Sequence, residues 1–182
     1  MKYGDWTMGQ TEALLNKLGG QEVALDILRG VMEVVIKVMD TLTRHVVVNR
    51  DRTPQQVLDA TGRKQYTDST VVAGMPHGEG EKKEIVFFKL NLSDRGGSIS
   101  DDDLEKEFGL RGLIPSDPYS LAAVNEADPA FADEHPNATH WKDAGGKWCF
   151  AAFHRWGGER YVCVYRYVFG WHDCWWFAGL RK

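Results

Sequence analysis

The sequence predicts an α+β domain, and three observations carry that prediction. Helical patterns are short and cluster toward the start of the chain. Strand-like runs are equally short, and one of the clearest lies close to the C-terminus. Long polar connections separate them, and no internal repeat or low-complexity tract appears.

The 182 residues suffice for one domain with a small N-terminal extension, here residues 1–30 followed by a domain over 31–182. The composition is 43% hydrophobic and 26% charged, as in ordinary globular proteins. The net charge of −4 argues against general nucleic-acid binding. That charge is uneven. Residues 101–143 carry eleven acids and three bases, whereas residues 144–182 carry six bases and two acids. No apolar run is long enough to span a bilayer, and the first residues lack a signal-peptide core, so membrane insertion is not expected and a cytoplasmic location is the default. Cys149, Cys163 and Cys174 have no C-x-x-C spacing, so free thiols are expected and a zinc site is not.

Taken in order, Thr7 with Gln10 reads as a capping box for a helix over Ala13, Leu14, Leu15 and Leu18, stopped at Gly19-Gly20. Gln21 to Arg29 makes a second helix closed by Gly30. Two helices over a glycine turn also fit a DNA-binding pair. The second offers only Arg29 to phosphates, which favours a packing or oligomerisation element. Residues 31–48 are apolar and β-branched, with a strand at Arg44–Asn49. Thr53-Pro54 starts a helix that ends before Gly62. Asp68 to Pro76 reads as loop or strand, and His77 to Gly80 as a turn. Glu84 to Leu92 is the clearest central strand. Ser100 caps an acidic helix, Asp101 to Phe108. Gly112 to Pro118 reads as irregular, Tyr119 to Glu126 as a helix, and Phe131 to His140 as polar loop.

No catalytic pattern stands out. The chain has no Gly-rich phosphate loop, no G-x-S-x-G elbow and no H-E-x-x-H, so an enzyme is not expected. Asp133, Glu134, His135 and His140 could be drawn as a metal set, but such groups in an irregular loop are more often solvated. Cys174 with His154 could be drawn as nucleophile and base, without support from the spacing. Neither a metal nor a cofactor is expected.

The end of the chain is different. Trp141 to Lys182 holds six of the seven Trp, all three Cys and three of the six Tyr. With period two, Arg160, Val162, Val164, Arg166 and Val168 share one face, and Tyr161, Cys163, Tyr165 and Tyr167 the other. Hydrophobicity leaves open which face is core. A second regularity favours a displayed tyrosine face. Phe153, His154, Gly157, Gly158, Tyr161, Cys163, Tyr165, Tyr167, Val168, Phe169, Gly170, His172 and Cys174 are all residue types that a codon ending in C can encode. Trp, Lys, Glu, Gln and Met, which no such codon encodes, are absent from that set. Randomising the adenines of AAC codons would leave this signature.

Here the segment resembles a known family. Trp171-His-Asp-Cys-Trp-Trp-Phe-Ala-Gly-Leu-Arg-Lys182 is similar to the ending of diversity-generating retroelement variable proteins, in particular those of archaea and candidate-phyla bacteria. Asp117 to Ala132 and Thr139 to Trp148 resemble the scaffold that leads into it. The resemblance covers roughly residues 110–182 and implies a C-type lectin-like fold with short helices, short antiparallel strands and long loops. It also implies a variable region at about 150–175 whose diversified residues bind ligand. Sugar-binding lectins use E-P-N-like and W-N-D motifs around calcium. Here Glu134-His-Pro-Asn137 carries an inserted His, and Trp171-His-Asp173 has His in place of Asn. A metal-independent fold and a ligand other than carbohydrate follow.

The resulting expectation is a binding protein. The thirteen residues face water, while Trp148, Trp156, Trp171, Trp175 and Trp176 anchor the segment, with Arg160 and Arg166 paired to the acidic stretch before them. A broad Tyr, Phe and His patch suits a protein ligand better than a pocket-bound one. The alternative is a nucleic-acid-binding or regulatory protein acting through the N-terminal helices. The oligomeric state is left open.

Overall fold

The computed structural model describes residues 7–17, 20–28, 41–166 and 170–182. The chain divides into two compact units, Met1–Val38 and Met39–Lys182. In the first, α1 (Met8–Lys17) and α2 (Gln21–Leu28) fall where the sequence places them. The expected helix ends at Leu18, Gly19, Arg29 and Gly30, and the apolar run at 31–40, lie outside the described residues. No helix among the described residues is long and apolar enough to cross a membrane.

The second unit is mixed α+β. Its elements in order are β1 (Thr41–Val47), α3 (Pro54–Ala60), β2 (Lys64–Thr67), α4 (Ser69–Ala73), β3 (Lys82–Lys89), β4 (Ser98–Ile99) and α5 (Asp101–Leu110). There follow β5 (Leu113–Pro115), α6 (Pro118–Ala127), α7 (Phe131–Glu134), β6 (Asn137–Lys142), β7 (Trp148–Trp156), β8 (Glu159–Arg166), β9 (Trp171–His172) and β10 (Trp176–Arg181). Among the described residues, one large sheet runs β1-β3-β10-β6-β7-β8-β2, with β5 also on β10, and a small sheet pairs β4 with β9.

Local chemistry explains several starts. Thr53 and Gln56 form a reciprocal capping box in front of Pro54. The Ser100 hydroxyl accepts from Asp103 N, and three Asp follow in the first turn of α5. Asp117 caps α6 by accepting from Ser120 N.

Other expectations are corrected. Asp68 to Pro76, read as loop or strand, holds α4, because the Asp68 carboxylate accepts from Thr70 N and Val71 N and starts a turn. Leu113–Pro115, read as irregular, pairs with β10. The strands are not all antiparallel: β6 runs parallel to β10, and β2 parallel to β8.

The largest correction is β6. Its Asn137, Thr139 and His140 read as polar loop, yet all three are buried in mid-sheet. Each has a partner. Asn137 accepts from Asn125 and donates to His135 O, Thr139 donates to Ser116 O at 2.5 Å, and His140 Nδ1 lies 2.8 Å from Asp101 Oδ1. Satisfied polar groups let a polar sequence occupy a core strand.

The large sheet is covered on both faces. On one, α3, α4, α6 and α7 bring Leu58, Val71, Leu121 and Phe131 against Ile85, Phe87, Phe153, Val162, Val164 and Ala178. On the other, Leu104 and Phe108 of α5 and Trp171 of β9 lie against Phe88, Ala138, Phe150 and Phe177. At β8 the residues facing this second cluster, Cys163 and Tyr165, are only partly buried. Trp171 is tied down at its polar edge, where Nε1 donates to Asp101 Oδ1 at 2.8 Å.

Candidate functional site

The candidate site is built on the β7–β8 hairpin. Its register pairs Trp156 with Glu159, so the turn is the two residues Gly157 and Gly158. Their φ values of +56° and +86° are those of a type I′ turn, the form that matches strand twist. The same register places His154 opposite Tyr161, Ala152 opposite Cys163, and Phe150 opposite Tyr165. These residues share one face. Phe153, Val162 and Val164, one step out of phase, are fully buried on the other.

β2 extends the exposed face. It sets Lys64 beside Tyr161 and Tyr66 beside Cys163. Tyr66 is 64% exposed and meets the Tyr161 ring edge-on at 6.4 Å. Tyr161 stacks on His154 at 5.7 Å, and Tyr165 lies 5.9 Å from Phe150. Trp175 stands edge-on to both His154 and Trp171 at 6.0 Å. The result is a half-buried aromatic surface assembled from β2, β7, β8 and the segment before β10.

Ion pairs fix the edges of the hairpin. Arg160 donates from Nε and Nη2 to Asp133, the shortest contact being 2.7 Å. Those bonds, aided by the charges of Arg155 and Arg63, hold the Asp133 carboxyl below its ordinary range. Arg166 donates to Asp143 Oδ2 at 2.9 Å. Asp143 also accepts from Gly145 N and Lys147 N and so organises the turn that leads into β7.

The thirteen sequence-derived positions separate on this frame. His154, Tyr161, Cys163 and Tyr165 come together on the aromatic face, and Gly157 and Gly158 form the exposed turn. Phe153 is corrected: it is fully buried, because strand alternation puts it in phase with Ala151 and Cys149 rather than with His154. Gly170 is half-buried, and a Cβ there would lie 3.0 Å from Ser98 Oγ and 3.1 Å from Ile99 O, so a side chain there requires the β4 segment to give by a few tenths of an ångström. His172 and Cys174 are exposed, but His172 belongs to the β4–β9 pair, with Nδ1 3.2 Å from Gly97 O. Tyr167, Val168 and Phe169 lie outside the described residues.

Among the tryptophans only part of the anchoring expectation holds. Trp171 is fully buried, and Trp148, Trp175 and Trp176 are half-buried. Trp156 is corrected: at 76% exposed it stands in solvent, because strand alternation puts it in phase with His154 on the open face, beside the turn. Tyr66, which lines the surface, was missed. Nothing local marks it, because its place depends on parallel pairing with a strand about a hundred residues away.

The Cys163–His154 pair at the centre of the face is uncharged. Cys163 Sγ lies 3.5 Å from His154 Nε2, so His154 partners Cys163 rather than Cys174. Burial pushes the Cys163 thiol up to about 11 and pushes His154 down from its ordinary value. Both therefore stay uncharged at neutral pH. Burial raises Cys149 and Cys174 as well. A thiol raised in this way is a poor nucleophile.

The drawn metal set is dispersed. Asp133 is held by Arg160, His135 stacks on Phe131, and His140 stacks on Trp148 beside Asp101. Among the described residues no group of three or more His, Cys, Asp or Glu lies at metal-binding spacing.

The chain matches no protein-family model, no curated protein and no solved structure.

Proposed function

We propose that the protein is a ligand-binding protein. In this reading it displays a retroelement-diversified surface on a C-type lectin-like scaffold, and its ligand is another protein. One observation carries the reading. His154, Tyr161, Cys163 and Tyr165 share a partly open face, while Val162 and Val164 between them are sealed in the core. Change can therefore be confined to one face while the alternate residues hold the strand.

The side chains suit the role. Tyr and His present rigid, amphipathic area and lose little rotamer freedom on contact. The hairpin is clamped at Asp133 and Asp143, so the surface is held by residues outside the changeable set. The turn tolerates limited variation: AAC and its adenine variants include codons for Asn, Asp and Gly, the residues that adopt positive φ most readily. On this reading Phe153 and Gly170 belong to the frame rather than to the display.

The test is a library randomised at His154, Tyr161, Cys163 and Tyr165 and selected on immobilised proteins of differing surface charge. Binders that keep the parent melting temperature are the expected result. A library that mostly fails to fold would overturn the reading. The genomic counterpart is a near-copy of the coding region that differs only at adenines, beside a reverse transcriptase gene.

A further inference from the structure

Charge at the turn end of the β7–β8 hairpin is not balanced. A shallow pocket of about 300 Å³ lies there, lined by Gly62, Lys64, Arg155, Gly158, Glu159 and Arg160. It has three cations and one anion among its walls. Arg160 is engaged with Asp133 at 2.7 Å, and Lys64 Nζ lies 3.2 Å from Glu159. Arg155 has only a 3.6 Å approach to the same Asp133, an ion-pair distance without a hydrogen bond. Its planar donor fork is half exposed and remains largely unused.

A further charge stands behind the pocket. Arg63 is buried, and its Nη2 donates to the neutral acceptors Asn125 Oδ1 and Pro129 O. Its buried Nε has no hydrogen-bond partner. Counting Arg63 and the more distant Asp128, four cations face three carboxylates. Lys64 links this pocket to the aromatic face, because it sits beside Tyr161 in the sheet register. Trp156 is exposed in phase with His154, so it stands on the aromatic face like Tyr66 of β2, while Arg155 reaches that face only through the pocket it shares with Lys64. Trp, Tyr and Arg are the residue types that carry most binding energy in protein interfaces.

We infer that the protein bound by the display face presents an acidic segment, whose carboxylates seat on Arg155 and Lys64 while its apolar side chains lie on Trp156 and Tyr66. The inference rests on the display reading and names its partner class. None of these four residues is among the thirteen candidate variable positions, so the surface would combine a constant anchor with a changeable face. Excess positive charge with an open guanidinium selects carboxylates, and the adjacent exposed aromatics select a peptide over a small inorganic anion.

The probe is a labelled octaglutamate peptide with one central leucine, titrated into the full chain by anisotropy and by amide chemical shifts. Shifts should concentrate at residues 62–66 and 154–160, and binding should weaken with added salt. Lys64→Glu with Arg155→Glu should reduce affinity by at least about tenfold, with Lys64→Gln and Arg155→Gln as the control that avoids like charges at Glu159 and Asp133, and Trp156→Ser should reduce it severalfold at near-parent melting temperature. Equal binding by the charge-reversed variant would overturn the proposal. Tighter binding of oligothymidylate or of inorganic phosphate than of the peptide would overturn the partner class. The two readings fail separately: library binders without peptide binding remove only the anchor, and peptide binding with a library that cannot fold removes only the display.

Discussion

Asp101 Oδ1 accepts from the Trp171 indole at 2.8 Å and lies 2.8 Å from His140 Nδ1. One carboxylate at the start of α5 thus joins the acidic helix, the central strand β6 and the segment that follows the hairpin. His140 is stacked on Trp148 at 4.5 Å, and its Nε2 lies 3.3 Å from Glu105 without hydrogen-bond alignment. Asp101→Ala removes the shared carboxylate from both buried contacts. The expected cost is about 2–5 kcal/mol, read from urea unfolding. Asp101→Asn, which retains one acceptor oxygen, should cost less.

Face assignment along β7 and β8 is tested by pairs. Phe153→Ala should destabilise by about 3–5 kcal/mol, because it empties a fully buried site. Tyr161→Ser and Tyr165→Ser remove half-buried rings and should each cost about 1 kcal/mol or less. Equal losses at Phe153 and Tyr161 would show that both faces are core.

The tryptophans divide in the same way. Trp171→Ala should cost about 3–5 kcal/mol. Trp156→Ser should stay within about 0.5 kcal/mol, since that side chain is 76% exposed. Thermal melts of the two variants decide it.

The turn has its own constraint. Gly157→Ala and Gly158→Ala each force a β-carbon into positive φ and should cost about 1–2 kcal/mol. Asn or Asp at either position should be nearly neutral, whereas Val should be worse than Ala. Chemical denaturation of the series measures the order.

Stability should show a plateau bounded by His154 and Cys163. Burial lowers His154, so the unfolded chain binds its proton first, and stability falls as pH drops below the ordinary His range. Burial raises Cys163 to about 11, so the unfolded thiol ionises first, and stability falls as pH rises from the ordinary thiol range toward that value. Asp133, held low by Arg160, adds a further loss only in acid, below the ordinary carboxylate range. Cys163→Ala should reduce the alkaline limb, leaving the smaller part due to Cys149 and Cys174, and His154→Gln should flatten the limb below the ordinary His range. Alkylation of Cys163 at neutral pH should be slow for the same reason.

What the sequence decided alone is what neighbours in the chain decide. The helices at α3, α5 and α6 start where Thr53, Ser100 and Asp117 can cap them, because a cap bonds residues two or three positions away. The hairpin follows from Gly157-Gly158 between alternating runs, and the period-two division of β8 follows from strand geometry. Which face is open, and who shares it, came only from the tertiary structure. Val162 and Val164 are sealed by helices from earlier in the chain, and Tyr66 arrives beside Cys163 through parallel pairing. The polar residues of β6 could sit in mid-sheet only because Asn125, Ser116 and Asp101 meet them there. Phe153 and Trp156 exchanged their expected places for the same reason: burial is set by what packs against a strand, which neither residue type nor codon pattern encodes.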